Sequence, residues 1–362
     1  MIYYFGFFAF VSAISFLCLD YRLTKAKYVL GILIVTCLAI FAGMRGEYVG
    51  SDYVNYKAYF YQFDSLFSGG FKQVIAFDYF FEPGFAFFIS FVKIFTADHV
   101  VFFIVLSFSM LYIFLTAARK ITSFYIISIF VYFCYLYFSH AFIAVRFGMA
   151  SVIGLHCLIA VSERKNSKAF FLLVAALSFH TAAIALIVPL ALSFFSIKRV
   201  HLGYGLLLSY VVGVFGLGKT VFLSALPSWV PRAESAAYYA SDSQFGETLG
   251  LFGFINNKNA FILALGLFFW KHLITRVKYF ETLMLFFFCG VTMRIAFHDL
   301  GFMISRLSAL LTLVEVIILP AVIIHNIKQK LVAFLFLFLY SLMNIYMFIY
   351  VRGFPPYYSD VL

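Results

Sequence analysis

Apolar runs long enough to cross a lipid bilayer recur along the whole chain and constrain its fold more than any other feature. A hydrocarbon core about 30 Å thick needs about 20 consecutive apolar residues in helical form. Such runs lie near residues 2–19, 28–44, 84–96, 99–118, 123–139, 141–161, 168–196, 203–223, 259–275, 279–297, 307–325 and 331–350. Because backbone groups in lipid must pair internally and these runs lack the alternation of barrel strands, they predict helices.

The composition supports the same class. Hydrophobic residues make up 65% of the chain and charged residues 11%, which is outside the balance of a soluble domain. We predict an all-α polytopic membrane protein with about 11 to 13 transmembrane or re-entrant helices. Residues 1–362 are predicted to form one integral membrane domain with two moderate loops, 45–83 and 224–258. The first run has neither a basic n-region nor a small-residue cleavage site, so it is interpreted as a retained span.

Short basic loops indicate how the helices are oriented. Loops rich in Lys and Arg lie at 20–27, 196–201, 271–278 and 325–330, and such loops favour the cytoplasmic side. Both long loops then face outward. The net charge of +11 fits this topology signal and contact with anionic membrane lipids, and no nucleic-acid partner is expected.

Two apolar runs have lengths that do not fit a single crossing. The run 168–196 is too long and carries "SFHT" (178–181) at its middle, as a helical hairpin or a broken helix would. The run 84–96 rises only about 20 Å as a helix, too short to cross comfortably. If neither is a simple crossing, the basic turns at 118–120 and 162–168 also become cytoplasmic; otherwise these short turns disobey the charge rule. Irregular backbone at membrane depth needs surrounding protein or water, so we predict a cavity near His180.

Arginines and histidines within or beside the apolar runs are the first candidates for a functional site, because ionisable groups are costly there. The sequence places Arg45, His140, Arg146, His180, Arg294 and Arg306 in this position. Snorkelling or interfacial anchoring of the arginines, and a helix–helix hydrogen bond for His180, are the structural alternatives. The arginine fork stays charged and matches phosphate oxygens, so arginines gathered at the outer face predict an anionic ligand.

The first long loop adds carboxylates to these candidates. In "VGSDYVNY" (49–56), Gly50 permits a tight turn, after which Ser51 or Asp52 can cap a short helix. Asp52 and Tyr56 would then share one helix face. Glu82, in "FFEPGF", is either a solvated helix start or an acid of the site, and one such group near a substrate hydroxyl suffices for acid–base chemistry.

Signatures of nucleotide, metal and disulfide sites are absent from the sequence. There is no P-loop, no GxGxxG after a strand, no HExxH, no EF-hand and no DxD pair. The missing DxD pair argues against a metal-dependent transferase that uses a nucleotide sugar. Cys18, Cys37, Cys134, Cys157 and Cys289 all lie in apolar runs, without CxxC spacing, as buried small hydrophobic residues do. No metal and no cofactor are predicted.

Five blocks, in order, resemble the EpsG-like branch of the Wzy family of O-antigen and exopolysaccharide repeat-unit polymerases. The blocks are "MRGEYVGSDYVNY" (44–56), "FFEPGFAFFISFVKIFT" (80–96), "IAVRFGMASVIGL" (143–155), "SFHTAAIALIVPL" (178–190) and "ISRLSALLTLVEVIILP" (304–320). One departure is Phe147, which stands where the family often has Gln. The resemblance points by position to Arg45, Asp52, Glu82, Arg146, His180 and Arg306.

The resemblance implies a glycosyltransferase of the bacterial inner membrane, with its active site facing the periplasm. It would join oligosaccharide repeat units carried on undecaprenyl pyrophosphate, one as donor and one as acceptor, beside a flippase and a chain-length regulator of the same pathway. We expect His180, Asp52 or Glu82 to handle protons. Arg45, Arg146, Arg306, Arg294, Tyr56 and His140 are expected to bind substrate. Tyrosines at 233–245 could stack against sugar rings, although interfacial belts also explain tyrosines.

Three alternatives remain open from the sequence. A flippase or other transporter of the same lipid-linked sugar predicts pseudo-symmetric halves with matching broken helices, and no such symmetry is visible. An O-antigen ligase usually has one dominant outer loop, whereas this chain has two moderate ones; a polysaccharide acyltransferase is a related possibility. A purely structural assembly subunit would tolerate substitution of its arginines.

Overall fold

The computed structural model describes residues 1–19, 24–75, 82–218, 220 and 249–359, and within these ranges the chain is helical and contains no β-strand. The first half contains α1 (Ile2–Leu17), α2 (Thr24–Gly43), α3 (Tyr53–Gln62), α4 (Gly70–Ile75), α5 (Pro83–Val92), α6 (His99–Ile121), α7 (Tyr125–Tyr132) and α8 (Val145–Ser162). The second half contains α9 (Asn166–Phe179), α10 (Ile187–Leu192), α11 (Arg199–Phe215), α12 (Phe254–Phe268), α13 (Trp270–Leu273), α14 (Phe280–Ala296), α15 (Gly301–Thr312), α16 (Glu315–Asn326) and α17 (Lys330–Tyr346). A π-helix (Phe133–Ile143) continues α7, and a 3₁₀-helix (Thr181–Leu186) precedes α10.

The predicted all-α polytopic membrane fold is confirmed. Within the described residues, five helices are long and apolar enough to cross a membrane: Ala26–Gly43, His99–Ile121, Tyr125–Ile143, Val145–Ser162 and Lys330–Val351. A sixth candidate is Phe280–Ala296 followed by His298–Thr312, which bends by 77° at the junction. Shorter apolar helices of 10–17 residues are Ile2–Leu17, Pro83–Val92, Asn166–Phe179, Thr181–Leu192, Arg199–Phe215 and Glu315–Asn326.

Four of the basic turns lie together at one end of the helical array, here called the basic side. The Lys278 amide donates to the Ile121 carbonyl at 3.3 Å, joining the turns after α6 and α13. The Tyr279 hydroxyl donates to Glu163 at 2.6 Å, which adds the turn between α8 and α9. His272 contacts Asn326 at 2.9 Å and so adds the end of α16. The turns at 118–120 and 162–168 therefore share a side with those at 271–278 and 325–330, as the charge rule predicts.

The chain from 166 to 192 folds back on itself as the predicted hairpin. Helix α9 ends at Phe179, and His180 adopts an extended conformation (φ −161°, ψ 130°) before the 3₁₀-helix begins. Leu190 of α10 packs against Cys157 and Ala169, near the start of α9. The hairpin thus enters and leaves on the basic side and carries His180 at its tip, on the opposite side, here called the site side.

Helix α5 remains on the site side and does not cross the bundle. Near its start, the Phe85 ring lies 5.6 Å from the Tyr56 ring of α3. After its end, Lys93 donates to the carbonyl of Phe63, the residue that follows α3. Because both ends contact the same short helix, α5 lies alongside it, as its length predicts.

The first long loop is a folded layer over the site side. Gly50 has φ +114°, and a Cβ atom there would lie 2.2 Å from the Phe142 carbonyl oxygen, so the turn requires glycine. Asp52 then occupies the N-cap position of α3, but its side chain makes no capping hydrogen bond. The predicted cap is therefore correct in position, although its side chain remains available for another role.

The structure corrects three predicted boundaries. Helix α15 begins at Gly301, so Arg306 lies in its second turn and does not open the run; the helix is then interrupted at residues 313–314. The π-helix extends to Ile143, so the break before α8 falls at Ala144 and not near residue 140. The predicted second loop, 224–258, extends only to Gly253, because α12 begins at Phe254. Its residues 224–248, with the tyrosines at 233–245, lie outside the described residues.

Candidate functional site

An ion pair between Arg146 and Glu82 lies where the loop layer meets the helices. Glu82 is the N-cap residue of α5, with Pro83 at the first helical position, and its side chain does not cap that helix. Arg146 is the second residue of α8, directly after the break at Ala144. The Arg146 Nη1 atom donates to Glu82 Oε2 at 2.6 Å. The pair is asymmetric, because 23% of the Arg146 side chain is exposed but only 6% of the Glu82 side chain.

The hairpin tip joins this ion pair. The backbone amide of Thr181 lies 3.4 Å from Glu82 Oε1, so both carboxylate oxygens accept from neighbouring groups. The contact requires a close approach of α5 to α9, since a Cβ atom on Gly84 would lie 2.2 Å from Ser178 Oγ. Glycine at this position therefore allows Glu82 and the hairpin tip to meet.

Tyr56 connects the ion pair to the other charged groups. The Arg146 guanidinium carbon lies 5.8 Å from the centre of the Tyr56 ring, and the two side chains are hydrogen-bonded. Asp52, one turn earlier in α3, and Arg306 of α15 both lie within electrostatic range of the Tyr56 hydroxyl. Burial raises the pKa of Tyr56, so this hydroxyl stays protonated at neutral pH. The structure thus brings Asp52, Tyr56, Glu82, Arg146 and Arg306 together, and we call this group the arginine cluster.

His180 lies at the hairpin tip beside the cluster, and its ring orientation is fixed. Its Nδ1 atom accepts a hydrogen bond from the Ala182 amide at 3.0 Å. An imidazole that accepts through Nδ1 carries its proton on Nε2, so the Nε2 atom of His180 is a donor. The Phe147 ring lies 5.4 Å from the ring of His180 and 5.4 Å from that of His140.

His140 is buried, whereas Arg146 and Arg306 of the arginine cluster are partly exposed. It lies in the π-helix, is 1% exposed, and its Nδ1 atom contacts the Tyr132 hydroxyl at 3.0 Å. Phe147 separates it from His180. This arrangement fits a buried side chain that packs the π-helix against its neighbours, rather than a group that contacts substrate.

Arg45 is enclosed by aromatic rings. It is 1% exposed, and its guanidinium carbon lies 5.0 Å, 4.6 Å and 5.2 Å from the ring centres of Tyr53, Phe103 and Phe142. Its Nη1 atom donates to the Ala42 carbonyl, whereas Nε and Nη2 have no hydrogen-bond partner in the described residues. Burial lowers the pKa of Arg45 to about 10, so the group remains charged at neutral pH. Arg45 therefore ties α3 to the helices behind it.

Arg294 belongs to a second polar network that the sequence analysis did not assemble. Its Nε donates to Asn256 Oδ1 at 3.0 Å and its Nη1 to Ser305 Oγ at 2.8 Å. Nearby, Lys258 of α12 pairs with Glu315 of α16. An acidic residue within the apolar run 307–325 and a lysine beside the run 259–275 were the available signals, since charges at membrane depth are functional candidates.

The described residues offer no group of His, Cys, Asp or Glu that could hold a metal ion. The five cysteines are free thiols, buried or half-buried, as their positions in apolar runs predict.

Comparisons with known proteins identify the family of this chain. The family model described as "EpsG family" matches residues 28–359. A relative named "Amylovoran biosynthesis protein AmsC", from Erwinia amylovora, is 26% identical over 309 residues, which is 84% of this chain and 81% of the relative. No solved structure matches the chain. Since the family model covers nearly the whole sequence, including every residue of the arginine cluster, the chain belongs to the EpsG family.

Proposed function

We propose that the chain is a polysaccharide polymerase that joins lipid-linked oligosaccharide repeat units at the site side of the membrane. The observation that carries this proposal is the arginine cluster beside the tip of a hairpin. In it the partly exposed Arg146 contacts Glu82 and Tyr56, and the partly exposed Arg306 lies within electrostatic range of the same tyrosine. Membership of the EpsG family and likeness to a protein named for amylovoran biosynthesis support a polymerase of this kind.

The donor is a repeat unit on undecaprenyl pyrophosphate, and the arginines bind its diphosphate. Arg presents a planar fork of donors that matches phosphate oxygens. Glu82 holds Arg146 from its buried side, which leaves the exposed side of the guanidinium for a ligand. When the anomeric C–O bond breaks, negative charge develops on the departing diphosphate, and Arg146 stabilises that charge. Arg306 binds the diphosphate equally well before and after the bond breaks.

Asp52 is the proposed general base. The acceptor is a second lipid-linked unit, whose non-reducing-end hydroxyl attacks the anomeric carbon and transfers its proton to a carboxylate. Both oxygens of Glu82 already accept hydrogen bonds, whereas Asp52 Oδ1 accepts from the hydroxyl of the neighbouring Ser51 at 3.2 Å. The Nδ1 atom of His180 already accepts from the Ala182 amide and its proton lies on Nε2, so we assign His180 as a donor and not as the base.

The remaining assignments follow from this chemistry. The protein lies in the bacterial inner membrane with its site side toward the periplasm, where lipid-linked units are polymerised. The basic side then faces the cytoplasm, in agreement with the distribution of Lys and Arg. A flippase and a chain-length regulator are the expected partners. Family membership does not favour the flippase, ligase, acyltransferase and assembly-subunit alternatives.

A reconstituted reaction tests the proposal. Purified protein in detergent is incubated with a lipid-linked repeat unit, and the products are separated by size. A ladder of lipid-linked oligomers is expected, which a transporter does not make. The Arg146→Ala variant should give no ladder, and the matched Arg119→Ala variant, which changes an arginine on the basic side, should retain it. A wild-type protein that leaves the single unit unchanged would overturn the assignment, as would transfer only to lipid A core.

A further inference from the structure

An ion pair is buried between the helices α12, α16 and α17. Lys258 of α12 forms an ion pair with Glu315 of α16, and the two side chains are 10% and 0% exposed. Tyr340 of α17 donates to the same carboxylate oxygen. The Lys258 ammonium also lies 4.2 Å from the centre of the Tyr135 ring. We call Lys258, Glu315 and Tyr340 the buried clamp.

The buried clamp is not explained by stability alone. Removing two charges from water costs several kcal/mol per ion, and well-packed apolar residues in place of a buried ion pair are often neutral or stabilising. Here the carboxylate is also incompletely satisfied, since Glu315 Oε2 has no hydrogen-bond partner in the described residues. Such a pair is best attested where it selects one geometry among several.

The geometry that the clamp selects is that of α15, the helix that carries Arg306. Glu315 is the first residue of α16, directly after the interruption at residues 313–314 that ends α15. Arg294 donates to Ser305, the neighbour of Arg306, and also to Asn256. Helix α12 therefore fixes α15 at Ser305, where Asn256 acts through Arg294, and just beyond its end, where Lys258 acts on Glu315.

We propose that Lys258, Glu315, Tyr340, Asn256 and Arg294 are positioning residues that hold α15, and with it Arg306, in place. The consequence of this geometry rests on the proposed function, because Arg306 matters to substrate only if it binds the diphosphate. The sequence predicts that Arg294 binds substrate. In this proposal Arg294 instead holds Ser305. No member of the clamp needs to contact substrate or the reacting atoms.

The test removes both charges of the ion pair together, so that no unpaired charge is left behind. The Lys258→Met, Glu315→Leu double variant is compared with a Lys258→Met, Glu315→Gln variant, which also carries no charge but keeps an acceptor for Tyr340. The matched control is Asn326→Ala, which breaks a polar contact at the other end of the same helix. Tyr340→Phe, which keeps the ion pair, replaces the double variant if that protein does not fold.

Two readouts separate positioning from a purely structural role. In the reconstituted reaction, the double variant should raise KM for the lipid-linked unit about tenfold with kcat nearly unchanged, because uniform binding by Arg306 is lost. The Lys258→Met, Glu315→Gln variant, which keeps the hydrogen bond to Tyr340, should restore part of the native KM, and Asn326→Ala should keep the native KM. Independently of catalysis, a cysteine introduced as Arg306→Cys should react with a maleimide at a clearly different rate in the double-variant background.

The outcomes distinguish failure of the inference from failure of the proposed function. A folded double variant with native KM and native labelling at position 306 overturns the inference, and so does an equal effect of Asn326→Ala. If the wild-type protein makes no polymer, the proposed function fails. The labelling rate still decides whether the clamp positions Arg306.

Discussion

Arg146 and Arg45 belong to the same side of the molecule, yet the structure gives them opposite surroundings. Arg146 pairs with a buried carboxylate and keeps 23% of its side chain exposed. Arg45 is 1% exposed and faces three aromatic rings. An arginine near a membrane boundary can therefore act as a ligand-binding group or as part of the scaffold, and exposure of the guanidinium separates the two.

The difference begins in the segments that precede each residue. Arg45 follows the end of α2, and the turn at Gly50 brings Tyr53 of α3 back over it. Arg146 follows the π-helix, whose irregular end at Ala144 directs the next residues toward Glu82. Cation–π contacts contribute about 2 kcal/mol or more when desolvated, which offsets part of the cost of burying Arg45. Arg146 is stabilised by an ion pair that leaves one side of it accessible.

Replacing Arg146 should have the largest effect. In cells that depend on this protein, Arg146→Ala should abolish polymer while the single-unit capped product remains, because one transition-state donor is worth about 10²–10³-fold in rate. The change also leaves Glu82 buried without its partner, at a cost of about 3–5 kcal/mol. The Arg146→Met, Glu82→Gln pair separates the two effects, since it should fold and remain inactive. Normal chain lengths in Arg146→Ala cells would refute the assignment.

Replacing Asp52 should have the next largest effect. Asp52→Asn keeps the size and the N-cap position but cannot take the acceptor proton, so the rate should fall by about 10²-fold or more. Asp64→Asn is the matched control, because Asp64 belongs to the same loop layer and contacts Gln73. The reconstituted ladder measures both variants. Equal rates for the two would remove Asp52 as the base and return that role to Glu82 or to His180 in its other tautomer.

The fold was predictable because membrane helices obey a length rule. Each apolar run predicted a helix. The overlong run 168–196 predicted a hairpin or a broken helix, of which the structure has the hairpin, and the run 84–96, predicted to be too short to cross comfortably, contains the short helix α5. Boundaries failed where the backbone is irregular. The π-helix that ends at Ile143 and the interruption at residues 313–314 both lie within continuously apolar sequence, so hydropathy does not mark them.

The members of the site were predictable one by one, but their pairing was not. Arg146 and Glu82 are 64 positions apart, and no local pattern links them. The aromatic enclosure of Arg45 depends on three separate segments, and the sequence showed only an arginine among aromatic residues. The sequence did mark Glu315 and Lys258, because each is a charged residue in or beside an apolar run. They were not predicted as functional residues because neither is an arginine or a histidine.

Replacing Tyr56 should have a moderate effect and should leave the pH dependence unchanged. A hydrogen bond to a charged group contributes about 1.5–3 kcal/mol, so Tyr56→Phe should slow polymerisation by about tenfold or more. Burial raises the pKa of this hydroxyl above its usual range. The hydroxyl therefore stays protonated over the pH range of the assay and adds no titration step to the rate profile. The rate profile between pH 6 and about 9 should therefore keep its shape. Tyr61→Phe, at a half-exposed position of α3, is the control, and a missing alkaline limb in Tyr56→Phe would contradict the assignment.

Replacing Arg45 should have the smallest effect on catalysis, and it tests the comparison most directly. Arg45→Met fills a similar volume with an apolar chain, and because apolar replacement of a buried charge is often neutral, unfolding stability should change by less than about 2 kcal/mol. Arg45→Ala should be destabilising by about 2–4 kcal/mol, because it leaves a cavity beneath Tyr53. Polymerisation per folded molecule should fall less than about tenfold in both variants, as measured by the ladder after normalising to protein that remains monodisperse in detergent. A stable Arg45→Met protein that is as inactive as Arg146→Ala would contradict this prediction. It would show that Arg45 leaves its aromatic enclosure to bind the diphosphate. The two arginines would then differ in conformation and not in role.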